Sequence, residues 1–404
     1  MHIPVLGFIG TAVRTLWDKL RGRPTVQAGP GAIPAGGDQA ISAPIATGSS
    51  VVATDQATVV ASPSGGPTII VQSGGTVNLV SYVDGLPQAK DPALRAAFEE
   101  GRRLQDEGYE AQNAHKHREA IDRFTRALGL AETNSQRAAL HVLRGNSQYS
   151  ISQYKNAQAD YEETLKLAER ISPVEDAAQA RAAALGSLGV ICADRGDPDK
   201  AEEHHKAALA IDREIDNRPG EAASLTNLGN VYFQRGELDK AEEQYEKALE
   251  IAREIGNRLR EAQVLGNLGV VYSDRSELEK AEEHHEQALE IDREIGHRLG
   301  EACQLGNLGN VYAQRGDLDK AEEHYEKGLE IHREIGNRLG QANQLGNLGL
   351  NYAQRGRLIE AKDHLEEAQA IYRQIGAGGQ GPEIVRKALE LIAEQERRQQ
   401  ERGE

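Results

Sequence analysis

The side chains of this sequence whose types and spacing promise chemistry are carboxamides, and the chemistry is hydrogen bonding. Asn227, Asn230 and Gln234 recur one period of 40 residues later as Gln263 and Asn267 with Asp274, then as Asn307, Asn310 and Gln314, then as Asn343, Asn347 and Gln354. On a helix turning about 100° per residue, the first set clusters roughly 180° from Leu225 and Tyr232. A carboxamide carries both donors and acceptors, and each net bond is worth only about 0.5–1.5 kcal/mol, so such groups act together or hardly at all. Asparagine is a mediocre helix former and an odd choice for a merely exposed position. The alternative is a set of solvated helix residues copied by duplication.

Two arginine series share the period. Arg235, Arg275, Arg315 and Arg355 close one set of predicted helices, and Arg218, Arg258, Arg298 and Arg338 follow the other set. Either series pairs with ligand carboxylates or simply complements the negative end of a helix dipole. Asp194 and Asp274 within the amide face argue against a uniformly basic surface. Glu242, Glu243, Glu246 and Glu250, interleaved with Lys240, Lys247 and Arg253, read as a solvated outer face.

The remaining candidates point away from catalysis. His204-His205 and His284-His285 are adjacent residues, which diverge by about 100° around a helix and do not chelate as residues four apart do. His205 and His285 also stand where Tyr245 stands, at a packing position. The Gly-Asn-Leu-Gly phrases at Gly266 to Gly269 and Gly306 to Gly309 lie inside predicted helices, with no preceding strand and no following Lys-Ser or Lys-Thr, so they are not phosphate loops. Close packing explains the second glycine of each; the first leaves space beside the amide face. Cys192 and Cys303 are far apart and read as reduced packing residues. No nucleophile elbow, zinc-protease helix, EF-hand loop or kinase signature occurs, so no catalysis, metal or cofactor is expected.

What must position these groups is a repeat. From Glu221 to Gly340 one phrase is stated three times at a fixed period, the mark of a solenoid in which each unit buries its apolar face against its neighbours. Four Phe, one Trp and one Met among 404 residues leave little for a bulky globular core, whereas Ala, Leu and Gly suit closely packed helices. The net charge of −16 arises beyond residue 94, because the stretch before it is balanced; such a surface disfavours nucleic acid and anionic lipid.

The amino-terminal region reads differently. Residues 1–23 form an amphipathic helix, too short and interrupted to span a bilayer and a poor secretory signal. With Phe8 and Trp17 beside Arg14, Lys19, Arg21 and Arg23, it suits peripheral attachment to a membrane, docking on a partner helix, or folding back into its own groove. Residues 24–90 are a tether rich in Pro, Gly, Ala and Ser, with a β-prone segment over 68–82 in which Thr68 to Val71 meets Thr76 to Val80 across Ser73-Gly-Gly75. An isolated hairpin is marginal, so these strands are expected to pair with something else or with another copy. A further β-prone run covers Ser50 to Val60, and Asp91 with Pro92 looks like a helix start.

The pattern Leu225, Leu228-Gly229, Tyr232, Ala241, Tyr245 and Ala248 recurs as Leu265, Leu268-Gly269, Tyr272, Ala281, Ala288, as Leu305, Leu308-Gly309, Tyr312, Ala321, Tyr325, and as Leu345, Leu348-Gly349, Tyr352, Ala361, Ala368. Leu185, Leu188-Gly189, Ala201 and Ala208 extend it upstream, and two divergent units hold Leu104, Gly108, Ala120, Phe124, Ala127 and Gly145, Ala157, Tyr161. This resembles the tetratricopeptide repeat, in a subclass longer than the usual period of about 34 and similar to repeats of Partner of Inscuteable and kinesin light chain proteins. The resemblance implies an all-α fold: a right-handed α-solenoid of about seven helix pairs over 95–375, closed by a capping helix over 380–404. It also implies that the amide face lines a concave groove holding an extended peptide. The reading that follows is a cytoplasmic, non-enzymatic adaptor for a protein or peptide partner. Alternatives are a sensor whose repeats bind a peptide or small ligand and control amino-terminal assembly, and an accessory subunit of a membrane-associated complex. The oligomeric state is open.

Overall fold

The computed structural model describes three short strands, 58–60, 68–71 and 77–80, and residues 117–402 apart from 132 and 173. The amphipathic helix over 4–21, the helix start at Asp91, and Leu104 and Gly108 of the first divergent unit lie outside the described residues. In chain order the described elements are strands β1 (Thr58–Val60), β2 (Thr68–Val71) and β3 (Val77–Val80), then helices α1 (His117–Leu130), α2 (Asn134–Ser150), α3 (Tyr154–Ala168), α4 (Val174–Asp194), α5 (Pro198–Glu214), α6 (Arg218–Gln234) and α7 (Leu238–Glu254). They continue as α8 (Arg258–Asp274), α9 (Leu278–Glu294), α10 (Arg298–Arg315), α11 (Leu318–Glu334), α12 (Arg338–Gln354), α13 (Leu358–Ile375) and α14 (Gln380–Arg402).

The described residues fall into two compact units, one running from β1 to Val271 with 290–297, the other holding 272–289 and 298–402. In the first unit α2 packs with α3, α4 with α5 and α6 with α7 as helical hairpins; each second helix also packs on the next first helix, and the first helices are neighbours. In the second unit α10 packs with α11 and α12 with α13, and α14 closes the row against α12 and α13. Val385, Ala388, Leu391 and Ile392 of α14 are buried.

Local chemistry sets the helix ends. Thr133 and Gln136 form a reciprocal capping box at α2, and the side chains of Asp197, Asn217, Asp317 and Asn337 accept backbone N–H bonds at α5, α6, α11 and α12. Burial separates the two helix types. First helix α6 is buried nearly all round, while second helix α7 buries only Ala241, Tyr245, Ala248, Leu249, Ile251 and Ala252 and turns its charges outward. Ala241, Ala248, Ala321, Ala361 and Ala368 are completely buried, so at these points only a methyl group separates packed helices.

The turn inside each hairpin needs one left-handed residue. Gly236, Gly316 and Gly356 supply it at φ 74, 86 and 78°, but the same place in the fourth hairpin is Ser276 at φ 61°. A side chain there is strained, so Ser276→Gly is expected to stabilise the protein by about 0.5–1 kcal/mol, read as a higher urea midpoint.

β1, β2 and β3 form an antiparallel sheet in that order, with Val71 opposite Val77 and Thr68 opposite Val80. β3 runs alongside α2 and α4. Among the described residues no helix is long and apolar enough to cross a membrane.

Candidate functional site

The amide face sits on the first helices, held there by glycine. A Cβ on Gly309 would lie 2.5 Å from the Tyr325 ring, one on Gly189 2.6 Å from His205, and one on Gly349 2.6 Å from Leu365. The second glycine of each phrase therefore receives the large residue of its own second helix. The first glycine has a narrower role: a Cβ on Gly306 would overlap the Gln344 amide of the next first helix, whereas one on Gly186 would meet nothing.

Half of the amides are engaged within the protein. Tyr245 donates its hydroxyl to Asn230 Oδ1 at 2.7 Å, and Asn267 Nδ2 donates to the same oxygen at 3.2 Å. Tyr325 and Asn347 treat Asn310 Oδ1 the same way, at 2.8 and 3.4 Å, and Tyr372 donates to Asn343 Oδ1 at 2.7 Å. A buried phenol needs an acceptor. The pairing has an alternating signature: Tyr161, Tyr245 and Tyr325 face Asn146, Asn230 and Asn310, while His205, His285 and Leu365 share their hairpins with Val190, Val270 and Leu350. His285 instead places Nδ1 3.0 Å from Gln304 Oε1.

That alternation predicts a rescue. Asn310→Val leaves the Tyr325 hydroxyl buried without its acceptor and is expected to cost about 1–3 kcal/mol. Adding Tyr325→His reproduces the His285 arrangement, because Gln344 Oε1 is buried there without a partner, and is expected to recover most of that loss in denaturant titrations.

The other amides remain free. Asn227, Gln234, Gln263, Asn307 and Gln314 form no hydrogen bond among the described residues, while Gln354 is engaged. Gln263 Oε1 and Asn267 Oδ1 are buried acceptors lacking a donor. Buried amide oxygens of this kind call for an N–H group.

The arginines are engaged with the protein's own side chains. Arg235 pairs with Asp199 at 2.5 Å and with Glu202, Arg315 with Glu282 and, at 3.7 Å, Glu279, and Arg355 with Asp319 and Glu322. Arg275 lies 3.9 Å from Glu277. Tyr232, Tyr312 and Tyr352 donate to the same glutamates at 2.9, 2.6 and 2.6 Å, so each first helix grips the second helix before it. Hydrogen bonds from Lys206, Arg235 and Tyr232 hold Glu202 down at about 2 against its desolvation. Arg218, Arg258 and Arg298 clamp Glu221 with Glu254, Glu261 with Glu294, and Glu301 with Glu334; Arg338 bonds Gln341 and Gln374 instead. An acidic ligand would thus compete with internal carboxylates at every arginine of both series except Arg338, whose partners are amides.

The acids of the amide face carry the opposite bias. Burial raises the carboxyl of Asp194, which accepts a bond from Tyr149, and pushes Asp274 up to about 6. Among the described residues no group of three or more His, Cys, Asp or Glu side chains is placed to hold a metal. Sequence patterns alone did not single out Arg260, which stands where Gly220, Gly300 and Gly340 stand and is 2% exposed.

Hairpins of similar length, stacked so that each is buried by its neighbours and aligned so that the first helices form one face within each unit, define a repeat solenoid. The chain belongs to the tetratricopeptide repeat family, whose signature matches residues 135–214, 180–254, 220–294 and 300–374, more than half of the chain. No curated sequence matches it. Among solved structures it is similar to aspartyl phosphate phosphatase F from Bacillus subtilis (12% identity over 69% of this chain and 72% of that one, TM-score 0.56). It is also similar to the Rap conjugation gene regulator of plasmid pLS20 in complex with the Phr* peptide (16%, 73% and 80%, TM-score 0.54). NprR in complex with its cognate peptide NprX gives 15% identity over 73% and 83%, with a TM-score of 0.50. At these identities the likeness is one of fold.

Proposed function

We propose that this protein is a non-enzymatic scaffold that holds an extended peptide or protein segment on the face of its first helices. The observation that carries this reading is the set of amides that form no hydrogen bond among the described residues: in the first unit Asn227 and Gln234, with buried acceptors at Gln263 and Asn267 that lack a donor, and in the second unit Asn307 and Gln314. An extended backbone supplies N–H and C=O groups at regular intervals, which matches such amides without demanding particular side chains. The Rap and NprR structures, of like fold, hold peptides. Because both arginine series are engaged and Asp194 and Asp274 share the face, a neutral or basic segment suits it better than an acidic one.

The test is a pull-down on the full chain with mass spectrometry, repeated with Asn227→Ala, Gln234→Ala, Asn307→Ala and Gln314→Ala combined. Four bonds of about 0.5–1.5 kcal/mol each imply roughly 30-fold or greater weakening, with thermal unfolding unchanged. Retention of the same partners at the same affinity would remove the proposal. A second reading, a regulator whose face is switched by its own amino-terminal region, is favoured by one observation: β3 runs alongside α2 and α4, two first helices.

A further inference from the structure

Over α2 and α4 the first-helix face already has a neighbour, and it comes from the same chain. We propose that the sheet β1-β2-β3 is a built-in occupant of the first-helix face at α2 and α4, so that an external segment must displace it. This rests on the scaffold reading above and names the competitor for its site.

Three observations converge. The first is placement: β3 is an edge strand, paired with β2 on one side only, and it lies beside two consecutive first helices. The second is chemical fit. An edge strand offers a row of N–H and C=O groups that no described strand receives. No charged residue falls between Asp55 and Asp84, so the segment meets a negatively charged protein without repulsion. The third is need. Strands of three or four residues are marginal alone, and uncharged β-branched edges invite aggregation unless covered. Residues 81–116 are long enough for the return, at about 3.3–3.6 Å per extended residue.

The second unit shows what an open face looks like. Ala139 on α2 and Ala183 on α4 are 3 and 4% exposed, whereas Cys303 and Asn343, at the same register on α10 and α12, are exposed. Occupation is therefore proposed for the first unit alone.

The probe is a fluorescein-labelled peptide with the sequence of residues 66–82, titrated into the full chain and into an Ile70→Pro, Leu79→Pro variant. Proline removes ladder donors from β2 and β3 and frees the face. A tethered competitor acts at a high effective concentration, so the variant is expected to bind the peptide at least about tenfold more tightly than the unaltered chain. Val77→Asp with Leu79→Asp, which places charges in the strand and leaves the helices untouched, is expected to act the same way, and circular dichroism checks that the helices persist. Equal affinity for all three proteins, or binding to none, overturns the proposal. So does an unaltered chain that sediments as an assembly dissolved by either variant, since the strands would then pair between copies. Partner retention by Asn307 and Gln314 of the second unit is read separately, so failure here leaves the scaffold reading to its own test.

Discussion

Lowering the pH from 6.5 towards 4 is expected to remove about 3 kcal/mol of stability for each of three buried histidines. His205, His285 and His332 are 1, 1 and 3% exposed, and burial pushes their imidazoles down to about 3, 4 and 4. Against an unfolded value near 6.5, the unfolded chain takes up these protons first. Their contribution is thus fully present above pH 6.5 and lost as the pH falls towards the folded values, at about 1.36 kcal/mol per unit per site.

Asp212 works in the opposite sense. Burial raises its carboxyl to about 6 despite bonds from Asn217 and Ser224, so its contribution is present below about 4, is lost as the pH rises through 6, and on acidification returns about 3 kcal/mol. Glu202, held at about 2, loses its contribution only below about 4.5. Asp274, also pushed up to about 6 by burial, works in the same sense as Asp212, so the balance is a falling limb roughly one proton steep between pH 6.5 and 4. His205→Leu should flatten it by about one proton, because His205 Nδ1 has no partner to lose and Leu365 already fills the same register. Urea midpoints from pH 7 to 4 measure this, and an unchanged slope would show that His205 takes up its proton without unfolding.

Replacing Arg260 with a hydrophobic residue is expected to stabilise the protein. Among the described residues its Nη1 is buried without an acceptor and it forms no ion pair; burial alone pushes it down to about 10, so it is charged at neutral pH. An unpaired buried cation is costly, and an apolar residue of similar volume commonly gains about 1–4 kcal/mol. The register explains how it came to be tolerated. A Cβ on Gly220 would overlap Asp212, and one on Gly340 would overlap His332; opposite Arg260 stands Ala252, which leaves that space open. Arg260→Met keeps the volume and removes the charge, whereas Arg260→Gly alone leaves a cavity and should destabilise. Arg260→Gly with Ala252→Asp rebuilds the neighbouring repeats and should recover the loss. A destabilised Arg260→Met variant in denaturant titration would show that the guanidinium has a partner in solution.

Much of the architecture was legible because it is written in short spacings. The period of 40, the small residues at Ala241 and Ala248, and the second glycine of each phrase read directly as helical hairpins in close contact, and the structure packs them so. The amide face was legible as a face, since about 100° per residue places Asn227, Asn230 and Gln234 together whatever surrounds them. The division of labour within it was not. Asn230 and Asn310 are distinguished from Asn227 and Asn307 by a tyrosine 15 residues later in the chain, which the sequence shows only as an alternation between Tyr with Asn and His with Val.

By itself, then, the sequence determined the repeat, the hairpins and the angular position of every side chain about its own helix, because those follow from local backbone geometry. The tertiary structure alone decided which polar groups are already engaged. Arg235 reaches Glu202 and Asp199 of the preceding repeat, Asn267 reaches Asn230, and β3 reaches α2 and α4, partners brought close by stacking between repeats rather than by helical period. A side chain's direction is a local property, but its hydrogen-bond partner belongs to the neighbouring element, and only the packed stack supplies it.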